Sequence, residues 1–398
     1  MTFRKAAAAA AALAVVLLPA PASARAYVAC DNATAAGKVS TATPYEDQLY
    51  DLARIAPVAD GRGVRVAVVD SGVDVTHPQL KGHVAAGTDF LKGNPDGRQD
   101  CLGHGTGVAS IIAAAQVGDV PFHGLAPGAT IVPIRISEQE EINGKAVGDR
   151  GTSTDFANAI DFAADPTRGN AQVINLSLVM TQDDSQVRDA VARAIARGVV
   201  VVAAAGNNAA KGNPTPYPAS YPDVIGVGAI GPDGLRAAYS QHGPYVDIMA
   251  AGDKVTVAAL HAGQTNGDGT SYAAPFVSAT VALLKQRFPA LTPAQITHRI
   301  IATADPAPGG RHSDEYGYGL LNPYRALTET LGPDVPAPPA PAVMHTADPA
   351  ALALQARRAH SQDMALLVAA AGTGVVALLG ILAAVVRRGR RRGWRAAS

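Results

Sequence analysis

Between Val64 and Phe288 the chain alternates short apolar runs with segments of helical period, and few folds accept that order of elements. Val64-Arg-Val-Ala-Val-Val69, rich in β-branched residues and bounded by Gly63 and Asp70, reads as a strand buried on both faces. Ile131 to Ile136, Val173 to Leu178, Val199 to Ala205 and Val224 to Ala229 have the same character. Helical patterns fall at Gly105 to Ala115, Thr154 to Ala164, Gln186 to Arg197 (closed by Gly198) and Ala273 to Phe288. Strands alternating with helices of this length predict an α/β fold, a mainly parallel sheet with helices on both faces. Sites in such sheets form beyond the carboxyl ends of strands. The residues that follow each apolar run are therefore the ones to read for chemistry.

The ends of the chain carry segments of another kind. Arg4 and Lys5, the apolar run from Ala6 to Leu18 and the small residues Ala22-Ser23-Ala24 predict a cleaved secretory signal over residues 1–24. Residues 364–386 hold 23 residues without a charge. As a helix rising ~1.5 Å per residue they reach ~34 Å, enough to cross a ~30 Å hydrocarbon core, so one C-terminal transmembrane helix is expected. Six arginines follow in the last twelve residues, and this basic tail, 387–398, is expected in the cytoplasm by the positive-inside rule. Prolines at 333, 336, 338, 339, 341 and 349 mark residues 331–363 as an extended linker. What remains is an N-terminal extension, 25–59, and one domain, 60–330. The expected address is the cell membrane, single-pass, with the domain outside.

Charge narrows the partners. The whole chain balances 33 Lys+Arg against 33 Asp+Glu, but residues 25–386 hold 25 bases against 33 acids, a net of −8. A body of that sign does not suit phosphate neutralisation, so no nucleic acid is expected.

Three motifs and one asparagine stand where the fold would place a site. Val68-Val69-Asp70-Ser71-Gly72-Val73-Asp74 puts a carboxylate at the tip of a strand, able to orient an imidazole; alone it reads equally as a strand-ending turn. Gly103-His104-Gly105-Thr106-Gly107 leads into a helix, its glycines allowing close approach of backbone and substrate. Asp268-Gly269-Thr270-Ser271-Tyr272-Ala273-Ala274-Pro275 opens the last long helix. There Ser271 is either an ordinary N-cap or a hydroxyl beside N–H groups that favour developing negative charge. Pro275 is expected in the first turns, where its missing N–H matters little. Asn207, after the run ending at Ala205-Gly206, is either a turn residue or an amide donor to an oxyanion.

The order Asp70, His104, Ser271 is that of the subtilisin-type triad. The stretches VVDSGVD, GHGTGVAS, GLAPGATIVPIRI, VINLSL, VVVAAAGN and GTSYAAPFVSA resemble those of the subtilisin-like serine peptidases, the subtilases. The resemblance implies Ser271 as nucleophile, His104 as general base and then acid, and Asp70 as the group fixing the imidazole tautomer. It implies Asn207 and the Ser271 N–H as oxyanion hole. Asn175, Leu176, Ser177, Leu178, Ala205 and Gly206 would line the substrate cleft and pair with a substrate strand. Val179-Met180 departs from the glycine that many subtilases have after this Ser-Leu pair, which bears on cleft width.

A secreted subtilase with a C-terminal membrane helix is similar to the mycosins, membrane-anchored proteases of type VII secretion systems. That resemblance implies polypeptide substrates, type VII secretion membrane components as partners, and a membrane contact through the C-terminal helix. A binding scaffold with dispensable proteolysis and a general surface protease are the alternatives. Cys30 and Cys101, placed outside the cell, most simply pair, two free thiols being the other reading. A loop of about 70 residues closed this way is worth roughly 4 kcal/mol in the chain-entropy model. Residues 25–59 fall below the ~40 residues at which chains fold alone, so the extension is expected to stay attached as a structural strap. Residues 137–149 read as a polar insertion, a solvated loop or a docking surface. No D-x-D-x-D-G loop occurs, and no metal or cofactor is expected.

Overall fold

The computed structural model describes Cys30 and residues 35–142, 145–308, 310–331 and 386–388. The expected signal, residues 332–363 of the expected linker and all but the last residue of the expected membrane span lie outside these residues. The chain divides into two units, Met1–Pro338 and Pro339–Ser398. Of the second, residues 386–388 are described, as helix. Among the described residues no helix is long and apolar enough to cross a membrane.

The first unit is built on seven strands: β1 (Arg65–Asp70), β2 (Thr88–Asp89), β3 (Thr130–Arg135), β6 (Val173–Leu176), β7 (Val200–Ala204), β8 (Ile225–Ile230) and β9 (Ile248–Ala251). Two pairs stand apart, β4 (Glu140–Ile142) with β5 (Lys145–Val147), and β10 (Val255–Ala258) with β11 (Gln264–Gly267). The sheet order is β2-β3-β1-β6-β7-β8-β9, and each neighbouring pair runs parallel. The helices are α1 (Tyr45–Tyr50), α2 (Leu52–Ile55), α3 (His104–Ala113), α4 (Ser153–Ala164), α5 (Ser185–Ala196), α6 (Thr270–Arg287), α7 (Pro293–Ala302) and α8 (Pro323–Thr328).

The continuous apolar character of β1 follows from burial on both faces. Val66 and Val68 join a core with Val108 of α3 and Val277 of α6, while Ala67 and Val69 join another with Ile160 of α4 and Val191 of α5. The chain leaves β1 for β3 on one side and returns to β6 on the other, which opens a crevice at the carboxyl end of β1. Register keeps the strand ends level: Val69 lies beside Leu176, and Leu176 beside Ala203. Asp70, Ser177 and the turn after β7 thus share one edge.

Two expectations need correction. Val173 to Leu178 is strand only to Leu176, because Ser177 turns out of the sheet to meet α6. Residues 137–149 are not a plain loop but carry the β4–β5 hairpin, held at its base by a Ser137–Arg150 bridge and by Lys92, which pairs with Glu138 and Asp149.

The extension shares the body's core. Tyr50, Leu52, Ile55 and Ala59 are buried in it, Gly37 N–H donates to Ala262 O at 2.8 Å, and Tyr50 Oη accepts from Ala251 N–H at 2.8 Å. Cys30 and Cys101 are disulfide-bonded. Glu46, 2% exposed, accepts from Thr256 N–H at 2.7 Å through Oε1, and its Oε2 has no hydrogen-bond partner among the described residues. Burial pushes this carboxyl up to about 7 from its ordinary 4.5, and Asp47 moves the same way. The folded state therefore holds the proton more tightly than the unfolded one, and this stability is lost as pH rises from about 4.5 through 7. Glu46→Gln is expected to flatten the fall in Tm across that window. Parallel Tm-against-pH slopes for the two chains would place the linked proton elsewhere.

Candidate active site

The three motifs meet at the carboxyl edge of the sheet. Asp70, the last residue of β1, is 1% exposed, and its Oδ1 accepts from Ser71 N–H at 2.7 Å and from His104 Nδ1–H at 2.7 Å. His104, the first residue of α3, turns Nε2 toward Ser271 Oγ at 3.0 Å. Asp70 Oδ2 is buried with no hydrogen-bond partner among the described residues. With Nδ1–H donating to Asp70, the imidazole is in the tautomer whose Nε2 can accept from the Ser271 hydroxyl.

Glycine makes the His104 turn possible. Gly103 has φ 91, and a Cβ on Gly105 would meet Gly72 O at 2.1 Å. With no capping side chain at Gly103, Asp100 supplies one from further back. Its Oδ1 accepts from Leu102 N–H, Gly103 N–H and Ser71 Oγ–H, and its Oδ2 from the N–H and hydroxyl of Thr106. Ser71 Oγ in turn accepts from Gly105 N–H at 2.9 Å. Burial pushes the Asp100 carboxyl up against those bonds, which lower it. The carboxylate thus ties the residue after Asp70 to the turn that carries His104.

Ser271 is the second residue of α6, not its cap; Gly269, at φ 149, precedes the helix. A methyl on Gly269 would lie 2.9 Å from Ser271 Oγ, 3.1 Å from Asn207 Nδ2 and 3.7 Å from Ser271 N. One small volume therefore faces the hydroxyl and both amide donors. Asn207 is turned this way by Thr270, whose N–H and hydroxyl donate to Asn207 Oδ1 at 2.9 and 2.8 Å. With the oxygen engaged, the NH₂ is left on the Ser271 side.

Pro275 is the sixth residue of α6, in the second turn as expected, but the N–H it lacks is one that would reach Ser271 O rather than an unpaired one. Ser177 Oγ–H donates to that carbonyl instead, at 2.7 Å. Ser177 Oγ also accepts from Asn175 Nδ2 at 2.8 Å, and Asn175 Oδ1 accepts from Ser278 Oγ–H at 2.8 Å. The segment expected to face substrate therefore braces the helix that carries Ser271. Asn175, Leu176 and Ala205 are 0% exposed, so their side chains stand behind the cleft wall. Gly206 N–H donates to Thr270 Oγ1 and its carbonyl accepts from Gln241 N–H. Leu178 differs: it lines a cavity of about 270 Å³ with Met180, Ile136, Phe156, Arg150 and Asp183. Met180 is bridged to Tyr217, and Arg150 donates to Val179 O.

Sequence reading missed Thr270 and Asp100. Thr270 stands inside a motif already singled out. Asp100 had a local signal, an acidic residue just ahead of a helix whose cap position is glycine. No group of three or more His, Cys, Asp or Glu that could hold a metal occurs among the described residues.

Comparison with known proteins gives consistent matches. A model of the subtilase family matches residues 61–319. Mycosin-1 of Mycobacterium tuberculosis is 35% identical over 337 residues, covering 73% of this chain and 74% of its own. A thermophilic serine proteinase of a Bacillus species is 36% identical, covering 71% of this chain, which spans 65% of that protein's length. Among solved structures, a serine protease MycP1, an essential component of the type VII (ESX-1) secretion system, is 32% identical with a TM-score of 0.63, over 76% of this chain and 94% of that one.

Proposed function

The chain belongs to the subtilase family of serine peptidases, and on that premise we propose that it is an endopeptidase acting on polypeptides at the outer face of a membrane, in the service of a type VII secretion system. The observation that carries the chemistry is the relay from Asp70 Oδ1 to His104 at 2.7 Å and from His104 to Ser271 Oγ at 3.0 Å. In this reading Ser271 Oγ attacks the scissile carbonyl as His104 Nε2 takes its proton. The carbonyl oxygen, now an anion, meets the Ser271 N–H and Asn207 Nδ2. The imidazolium, held by Asp70, returns the proton to the leaving amine. Water then repeats the sequence on the acyl-enzyme, with His104 again as base.

Asn207→Ala is expected to lower kcat by about 10²–10³, the range known for loss of one such donor in subtilisin, with KM little changed. A KM rise at constant kcat would instead make Asn207 a ground-state contact. We assign the cavity beside Leu178 to a substrate side chain, since it adjoins the segment that braces Ser271.

The reading is tested with a fluorophosphonate probe on the full-length chain beside Ser271→Ala, with the modified peptide identified by mass spectrometry. Labelling confined to Ser271 supports it; a folded chain without labelling goes against it. Membrane topology rests on residues 1–24 and 364–386 and is tested by protease protection of tagged termini in intact cells. The likeness to an essential secretion component favours a second, structural role. A strain carrying Ser271→Ala that secretes normally, where a deletion strain does not, would make that role the dominant one.

A further inference from the structure

Two hydrogen bonds, one at each ring nitrogen, hold His104 along the line from Asp70 to Ser271 but leave its plane free to tilt about that line. A third contact is present. The Tyr272 ring lies with its centroid 5.0 Å from that of His104, the planes inclined at 51°. Tyr272 follows Ser271 on α6, so one helix supplies both the nucleophile and the ring beside its base. The ring is seated between glycines. A Cβ on Gly107 would come within 3.2 Å of Tyr272 Cε1, and one on Gly267 within 2.7 Å of Cε2 and 2.8 Å of Cδ2 and Cζ. Gly107 stands three residues after His104, on the same face of α3, and Gly267 ends β11. A side chain at Gly267 would drive the phenol ring out of its slot, and one at Gly107 would press on both the ring and Val257, shifting them by a few tenths of an ångström.

We propose that Tyr272 is a positioning residue for the base, fixing the tilt of the His104 imidazole and stabilising the imidazolium that forms as Ser271 attacks. The proposal rests on the serine peptidase reading. A cation over the face of an aromatic ring and within about 6 Å of its centroid is attracted by the ring quadrupole, and the 5.0 Å separation here meets that distance. The titratable groups set against the imidazole include the Asp70 carboxyl from β1 and the Tyr272 phenol from α6. A change at Tyr272 leaves the first in place.

The test compares wild type, Tyr272→Leu, Tyr272→Phe and Gly107→Ala as full-length chains. Two readouts are taken: the His104 pKa by NMR of ¹³C-labelled histidine, assigned by the signal lost in His104→Gln, and the pH dependence of fluorophosphonate labelling at Ser271. Tyr272→Leu is expected to lower the His104 pKa by roughly half a unit, which moves the acid limb of labelling to lower pH. At neutral pH labelling slows by about threefold to tenfold. Tyr272→Phe, which keeps the ring, restores both. Gly107→Ala, which displaces the ring without changing its chemistry, shifts both in the direction of Tyr272→Leu and serves if the leucine variant does not fold. An unchanged His104 pKa in folded Tyr272→Leu would overturn the proposal, including where labelling and Tm fall together, since that pattern is packing alone. A wild type that titrates but is not labelled would defeat the peptidase reading, while the NMR comparison would still decide the ring contact.

Discussion

Ser271→Ala is expected to lower kcat on a peptide substrate by about 10⁶, a figure carried over from subtilisin, a member of the same family. The size follows from what the hydroxyl does. Without Oγ no acyl-enzyme forms, His104 Nε2 has no proton to take, and water must attack from a position nothing here holds. Activity is not expected to vanish. The Ser271 N–H and Asn207 Nδ2 still face the volume beside Gly269, and oxyanion stabilisation with binding sustains about 10³ over the uncatalysed rate. KM should move little, because the hydroxyl is small and 8% of the residue is exposed. Steady-state kinetics on purified variant chains check this. A loss of only tenfold to a hundredfold would mean that another group acts as nucleophile.

Asp70→Ala is expected to cost about 10⁴ in kcat with far less effect on stability. In the proposed mechanism the carboxylate has two tasks for His104, to keep the proton on Nδ1 and to stabilise the imidazolium across a 2.7 Å contact at a site 1% exposed. A methyl performs neither, so the ring adopts the wrong tautomer for part of the time and carries its transient charge unpartnered. Stability is another matter. Asp70 Oδ2 is already buried without a hydrogen-bond partner among the described residues, and the alanine variant loses two bonds at Oδ1, one from Ser71 N–H and one from His104 Nδ1–H, the latter on a ring that is 30% exposed and within reach of water. A stability loss below about 2 kcal/mol is therefore expected, measured by denaturant unfolding. A variant that unfolds readily and loses activity only in proportion would show the carboxylate to be structural. Non-additivity is the companion expectation: combining Asp70→Ala with Ser271→Ala should cost little more than Ser271→Ala alone, because the two act as one unit.

Some of the site was legible in the chain and some was not, and the difference is physical. β1 declares itself through β-branched residues that a doubly covered strand requires, and its last residue is Asp70. The turn at Gly103 needs glycine, and His104 stands at its centre. Asn207 was legible as a residue but not as a geometry: Thr270, 63 positions away, turns its amide by engaging Oδ1. For the segments expected to line the cleft, the sequence did not tell which side chains are buried. Asn175, Leu176 and Ala205 belong to strand ends covered on both sides, and apolar or amide residues there look the same in sequence whether they face substrate or core. Pro275 lies in the first turns as expected, but far enough in that its missing N–H leaves the Ser271 carbonyl without its helical donor. The Ser177 hydroxyl that replaces the missing N–H comes from another strand end.

The alternation of strands and helices, the edge at which a site must form and the identities of Asp70, His104 and Ser271 were determined by the sequence alone. Each depends on constraints written in neighbouring residues: side-chain branching, a glycine turn, a helix start. The tertiary structure alone decided which atoms of those residues remain available. Asp100 bracing Ser71 and Thr106, Thr270 turning Asn207, Ser177 completing α6 at Ser271, and Tyr272 set against His104 between Gly107 and Gly267 join, for the most part, segments brought together only when α3 and α6 pack on the same sheet. Periodicity reports which face of an element is buried; it does not report what meets that face, and the chemistry of this site lies in those meetings.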